Sequence, residues 1–242
     1  MNSDQVVYYE CESGACGLRF PEYVHGLLRE RCPVCREKVR AVLFTEKVTF
    51  EGQPAHVTSN LPQLHGLLDN IRSTYNVGSI FRTADGIGLQ KLFLCGITPT
   101  PDAPGVSKTA LGGEISITWE QAMNGLEKVR QLKSSGYQVW GLENTADSVS
   151  LFDSGAQITA QPLVLVVGNE VCGIDPQILT ACDRIVSIPM VGKKQSYNVS
   201  VAFGIAASYL RYCQMLSNGS LSKLPKTRSL PCAGQTSPSG ST

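Results

Sequence analysis

Between residues 64 and 216 the chain alternates two kinds of segment, and this alternation constrains the fold more than any other feature. Short apolar runs bounded by turn residues read as buried strands: Leu64–Ile71, Lys91–Cys95, Tyr137–Leu142, Leu163–Gly168 and Ile185–Ile188. Helix-like segments lie between them, at Val77–Gly86, Glu120–Ser134, Pro176–Ala181 and Val199–Leu216. Strand, helix, strand requires crossover connections, and crossovers build a mostly parallel sheet. The expected class is therefore α/β. In such sheets ligands bind beyond the carboxyl ends of the strands, so site residues are expected just after each run.

Composition sets the outer limits. The chain has 242 residues, enough for one or two domains, and is 42% hydrophobic and 17% charged, which excludes a wholly disordered chain. The stretch Leu163–Val167 falls far short of the roughly 20 apolar residues that cross a bilayer. The first residues, Met1 to Gln5, are polar and lack a basic or apolar signal region, so a cytoplasmic location is expected. Residues 1–48 hold a cysteine cluster and the β-prone runs Val6–Tyr9 and Ala41–Phe44. Residues 49–63, with Gly52, Pro54 and Pro62, read as a linker, and the Ser-, Gly- and Pro-rich stretch 217–242 reads as a disordered tail. The net charge is only +1. Any nucleic acid is therefore held by local patches and not by an overall field.

Nine cysteines is an odd number, and without a secretory signal a disulfide framework is not expected. Four of them, Cys11, Cys16, Cys32 and Cys35, form a Cys-x4-Cys and a Cys-x2-Cys pair. Two knuckles held apart by a hairpin-sized insert can set four thiolates tetrahedrally around one ion. Zinc suits such soft ligands in a reducing compartment, and it adds folding energy to a module too small to build its own core. The first fifty residues resemble a zinc ribbon. A rubredoxin-type iron site is the remaining alternative. A thioredoxin-like pair at Cys32 and Cys35 lacks the strand-to-helix context and leaves Cys11 and Cys16 unexplained.

Three segments carry the chemistry. The first runs from Asn70 to Ala84 and enters a helix near Asn76, a good capping residue, with Arg82 farther along among apolar neighbours. An arginine buried there needs an ion pair or an anion. The second is the apolar run Leu163–Val167 followed by Gly168, Asn169, Glu170, Val171, Cys172 and Gly173, a Gly-x-Glu-x-x-Gly turn. The third starts at Ile188-Pro189-Met190, carries Lys193 and Lys194, and passes through Ser196, Tyr197 and Asn198 into the last helix, which Ser196 or Asn198 caps. Taken singly, these are a salt bridge, a turn and a cap. In this order and spacing they resemble the three motifs of the SpoU-type (TrmH-like) RNA methyltransferases of the SPOUT superfamily, over roughly residues 64–216. One departure is Tyr197, where that family usually has leucine; an aromatic there still suits an adenine pocket.

The resemblance implies a deep trefoil knot near the C-terminus, which no pattern argument reaches. It implies a homodimer with the last helix in the interface. It implies S-adenosylmethionine as cofactor, held by Gly168, Ile188, Met190 and Tyr197, and methyl transfer to a ribose 2′-hydroxyl of tRNA or rRNA. Arg82 is then the central catalytic residue, with Asn76, Glu170, Ser196 and Asn198 organising the site. Arg72, Lys193 and Lys194 are expected phosphate contacts. Arg82 as a general base conflicts with its very high pKa, so a phosphate grip is preferred, and both roles stay open. Arg29, Arg31, Arg36, Lys38 and Arg40 cluster around the second knuckle and are expected to help hold RNA, although Glu30 and Glu37 offset part of that charge. Competing readings are a knotted enzyme acting on a base nitrogen, a non-catalytic RNA-binding factor, and a DNA-binding zinc protein that leaves the three loops without purpose.

Overall fold

The computed structural model describes residues 5–23, 28–46, 61–153, 158 and 161–220, in two compact units, Met1–Pro54 and Ala55–Thr242. Nearly all of the expected linker, and residues 221–242 of the expected tail, lie outside the described residues.

The first unit is a three-stranded antiparallel sheet. Strands β1 (Gln5–Cys11), β2 (Arg19–Tyr23) and β3 (Val39–Glu46) lie in the order β2-β1-β3, with a register shift between Tyr8 and Tyr9. Alternation puts Val7 and Tyr9 on its buried face, where Phe20 and Val39 pack against them. The Tyr9 and Phe20 rings stack at 5.5 Å.

The second unit is built on β4 (Leu64–Asp69), β5 (Lys91–Cys95), β6 (Thr118–Ala122), β7 (Gln138–Leu142), β8 (Val149–Ser150), β9 (Leu163–Val167) and β10 (Arg184–Ser187). They form one parallel sheet in the order β6-β5-β4-β9-β7-β10-β8. Every residue of β4 and β9 is buried, as a central strand covered on both faces requires. The helices are α1 (Thr74–Gly86), α2 (Val106–Ala110), α3 (Gly113–Ser116), α4 (Gly125–Ser134), α5 (Pro176–Ala181) and α6 (Val199–Ser217). Leu64, Leu68, Leu92 and Leu165 pack with Phe81 and Phe203 on one face of the sheet. Leu67, Phe93, Val164 and Val166 pack with Val129 and Ile178 on the other. Gly66 admits α6: a Cβ there would meet Leu92 Cδ2 at 2.6 Å and the Phe203 ring at 3.1 Å.

Three expectations need correction. Glu120–Ala122 is strand, not helix: it is the polar edge strand β6, and α4 starts only at Gly125, capped by Asn124. Helix α1 is capped by Ser73 and not by Asn76, whose side chain has other work. Helix α6 runs to Ser217 and Ser220 is buried, so the ordered unit extends past residue 216.

Arg211 fastens α6 to the rest of the unit. It is 4% exposed and donates to the carbonyls of Pro62, Ile87 and Gly88 and to Gln214 Oε1. No carboxylate pairs with it among the described residues, and burial pulls its pKa down to about 10. Replacing Arg211 with methionine leaves those acceptors dry and is expected to destabilise the unit by about 3 kcal/mol. Urea denaturation followed by tryptophan fluorescence measures this, with Arg211→Lys recovering part of the loss.

Candidate active site

The strands β4, β9, β7 and β10 are neighbours, so the loops that follow them meet at one edge of the sheet. Residues 70–73 follow β4, 143–148 follow β7, 168–175 follow β9 and 188–198 follow β10.

The loop after β9 is a tight closed turn. Asn169 and Gly173 exchange backbone hydrogen bonds, and Asn169 Oδ1 accepts from the N–H groups of Val171 and Cys172. Gly168 has no room for a side chain, because a Cβ would lie 2.2 Å from Ile174 N. Gly173 takes φ +72° and faces Glu143, whose Oε2 accepts from Ile174 N at 3.0 Å. The turn thus presents Glu170 outward.

Glu170 is the tie between loops. Its Oε2 accepts from Arg72 N at 2.9 Å, and its Oε1 accepts from Ser73 N at 3.1 Å and Asn76 Nδ2 at 2.9 Å. Asn76 Oδ1 in turn accepts from Asn198 Nδ2 at 3.1 Å. Asn198 Oδ1 caps α6 by accepting from Ser200 N and Ser200 Oγ. Side chains from the first turn of α1 and from two loops, 94 and 122 residues away in sequence, therefore form one chain of hydrogen bonds. Burial raises the Glu170 pKa, but the Arg72 N–H, the Asn76 amide and the remaining backbone N–H donors outweigh it and hold the carboxyl below its ordinary value.

Beside this chain opens a cavity of about 650 Å³. Gly168, Glu170, Ile188, Met190, Lys194, Ser196, Tyr197 and Asn198 line it, so seven of the residues singled out from the second and third segments join Glu170 around one space. A smaller recess is bounded by Arg72, Ser73, Asn76 and Glu170. Lys193 is exposed and borders neither. Arg82 also borders neither. It is exposed on α1, not buried, and among the described residues its side chain makes no ion pair or hydrogen bond. Glu170 therefore fixes Arg72, Ser73 and Asn76 at the start of α1, and not Arg82.

Sequence reasoning missed Leu142, Glu143 and Asn144, which also line the cavity. Glu143 pins the turn after β9, and Asn144 Nδ2 reaches Gln195 O at 3.4 Å in the loop after β10. No motif marks them. Their position at and just after the end of the run Tyr137–Leu142 was the available signal.

In the first unit, Cys11, Cys16, Cys32 and Cys35 bring their sulfurs within 4.8 Å of one another, with Cys11–Cys35 at 3.3 Å and Cys16–Cys32 at 3.8 Å. Four thiolates at about 2.3 Å from one zinc ion stand about 3.8 Å apart, so the set fits a tetrahedral site. Burial raises the Cys32 thiol, and the N–H groups of Cys35 and Val34 outweigh it and bring it to about 7.

Residues 63–208 match the SpoU rRNA Methylase family. The chain belongs to that family. It is 35% identical over 161 residues to a 23S rRNA (guanosine-2′-O-)-methyltransferase RlmB from Burkholderia sp, covering 65% of this chain and 58% of that protein. It is 32% identical over 137 residues to the tRNA (guanosine(18)-2′-O)-methyltransferase of Aquifex aeolicus, covering 57% and 63%. The chain thus spans about three fifths of the length of these curated relatives. Among solved structures, the A. aeolicus TrmH/SpoU tRNA modifying enzyme superimposes with a TM-score of 0.59 at 30% identity, over 66% of this chain and 79% of that one. An AdoMet-bound rRNA methyltransferase from Sinorhizobium meliloti gives 0.59 at 25% identity, over 74% and 65%. No helix of the described residues is long and apolar enough to cross a membrane.

Proposed function

We propose that this SpoU family member transfers a methyl group from S-adenosylmethionine to a ribose 2′-hydroxyl of tRNA or rRNA. The observation that carries the reading is the Glu170–Asn76–Asn198 chain at the edge of the large cavity. The relatives' names agree: two are 2′-O-methyltransferases of RNA. Small-molecule sites of about 300–1,000 Å³ with apolar walls and few polar groups are ordinary. Leu142, Val167, Ile188, Met190 and Ala202 supply such walls here.

When bound, the cofactor supplies an already electrophilic methyl carbon. The protein then has to orient the acceptor and ease the loss of its proton. Gly168, Ile188, Met190 and Tyr197 hold the cofactor, the glycine by letting backbone approach. Glu170 and Asn76 fix the start of α1, and Ser196 and Asn198 present hydroxyl and amide at the cavity wall. Arg82, which has no acidic partner among the described residues, grips the phosphate next to the target ribose, and Arg72, Lys193 and Lys194 hold neighbouring phosphates. The protein works in the cytoplasm as a homodimer. The outward stripe of α6, with Val201, Tyr212 and Leu216 each 49–51% exposed, favours this reading. The loops after β9 and β10 form a trefoil knot, which accords with strands separated in sequence lying side by side. The cysteine set holds a structural zinc ion in a ribbon.

The test uses labelled S-adenosylmethionine with unmodified tRNA and rRNA transcripts, digested to nucleosides. Label on the ribose 2′-oxygen, lost in Arg82→Ala, supports the proposal. Label on a base moves the activity to a base nitrogen. Cofactor binding without transfer to any transcript overturns it in favour of a binding factor.

The ribbon's part in holding RNA is narrower than five cations. Arg29 pairs with Glu22, and Arg40 shares Glu10 with Arg19. Arg31, Arg36 and Lys38 have no acidic partner among the described residues. Changing these three to serine is expected to flatten the plot of log RNA affinity against log salt by about 2 to 3, since each phosphate contact contributes roughly 0.7–0.9. Cofactor affinity in isothermal titration is expected to stay unchanged. Deleting residues 1–48 is expected to follow the same pattern.

A further inference from the structure

The outward face of α1, with the residue just before its cap, carries three side chains that the fold itself leaves unused. Val77, Ile80, Phe81 and Ala84 turn into the core. Tyr75 and Arg82 are seven residues apart, which on a helix is two turns and the same face, with a rise of about 10.5 Å. Tyr75 is 58% exposed. Among the described residues its ring meets no other ring and its hydroxyl has no hydrogen-bond partner. Its backbone is nonetheless held firmly, because its carbonyl accepts from Thr109 Oγ1 at 3.1 Å. Arg72 stands just before the helix, beside Ser73, Asn76 and Glu170, and its guanidinium, like that of Arg82, has no acidic partner among the described residues. A largely exposed aromatic ring thus lies in sequence between two arginines that have no acidic partner among the described residues, directly before the Asn76 that belongs to the hydrogen-bonded chain.

An exposed ring earns little stability where it stands, and two arginines without acids offer a place for anions. Alternation of stacking surfaces with cations is how proteins hold single-stranded nucleic acid, bases on rings and phosphates on cations. We propose that the outer face of α1 is the track for a single-stranded segment of the RNA. Tyr75 stacks on a base beside the target nucleotide, and Arg72 and Arg82 hold the phosphates on either side. This rests on the reading of the substrate as RNA and adds to it which surface the strand follows and what separates a stacked, unpaired stretch from a duplex.

The experiment compares the full chain with Tyr75→Leu and Tyr75→Phe. It measures KM for RNA, kcat, cofactor affinity and the salt dependence of RNA binding. Tyr75→Leu is expected to raise KM for RNA about tenfold, within the range for one lost stack. It is expected to leave kcat and cofactor affinity within about twofold and the salt slope unchanged, because a stack displaces no counterions. Tyr75→Phe is expected to restore KM. Arg72→Gln, by contrast, is expected to lower the salt slope by about 0.7. A wild-type KM in Tyr75→Leu overturns the proposal while leaving the methyl transfer intact. A shift to monomer in Tyr75→Leu, seen by sedimentation, assigns the ring to a subunit contact and also overturns it. If the wild-type chain neither binds nor methylates RNA, the functional reading fails first and takes this one with it.

Discussion

Glu170→Ala is expected to cut methyl transfer by about a hundredfold to a thousandfold, with little change in melting temperature. The carboxylate is the common acceptor for Arg72 N, Ser73 N and Asn76 Nδ2. Without it the segment that starts α1 is no longer tied to the turn after β9. The Asn76 side chain keeps only its contact with Asn198 among the described residues. A misplacement of about 1 Å in a positioned site costs on the order of a hundredfold, and loss of a preorganised polar contact costs a similar factor. Stability changes little because Glu170 is itself exposed and no core contact is lost. Glu170→Gln keeps one acceptor but turns an amide N–H toward backbone donors, so an intermediate loss is expected. Single-turnover transfer under saturating cofactor measures this, and an alanine variant within fivefold of wild type would refute the tie. The pH dependence has a definite sign. The folded-state pKa lies below the ordinary glutamate value, so the tie is complete above about 4.3 and is lost only as pH falls through the lower folded value. Any acid limb of activity above pH 5 therefore belongs to another group.

Cys32→Ser is expected to abolish the fold of the first unit. Its apolar core amounts to Val7 and Tyr9 with Phe20 and Val39 against them. A core of that size does not sustain an independent module without a staple. Zinc binding to four thiolates supplies an apparent free energy of about 10–16 kcal/mol, and that energy is folding energy. Loss of one ligand is expected to drop metal content below half an equivalent per chain and collapse the dispersion of amide signals from residues 5–46. The second unit has its own two-faced core and is expected to keep its cofactor affinity. A folded first unit in metal-free protein would show that zinc is not what holds it.

The sheet was readable where burial is complete. The all-apolar run of β9, and the well-buried runs of β5 after Lys91 and of β7, announce inner strands, because both of their faces are covered. Strand β6 was misread because it is an edge. Its Glu120 is satisfied by Lys91 and Lys128, so nothing in the segment looks like a strand interior. Helices α2 and α3, five and four residues long, are too short to show a period, and each follows a glycine in the left-handed region. At the site, the family resemblance singled out Asn76, Glu170 and Asn198, and the structure joins their side chains by hydrogen bonds. Arg82 was expected to need a buried partner, and that inference failed for a geometric reason. Phe81 and Ala84 face the core, whereas residue 82 falls on the outward side of the helix. Glu143 was missed because its contact with Ile174 N joins positions 31 residues apart, which no local pattern encodes.

The amide of Asn198 has one further consequence. Its oxygen is committed to Ser200 at the start of α6, so only its nitrogen faces Asn76. That orientation forces Asn76 to offer its oxygen back and its nitrogen forward to Glu170. The row of dipoles therefore has a single sense, running from the first turn of α6 to the carboxylate. A ligand that asks Asn198 for an acceptor must first uncap the helix, at a cost of about 1 kcal/mol. The polarity of the whole wall is thus set by where a helix begins.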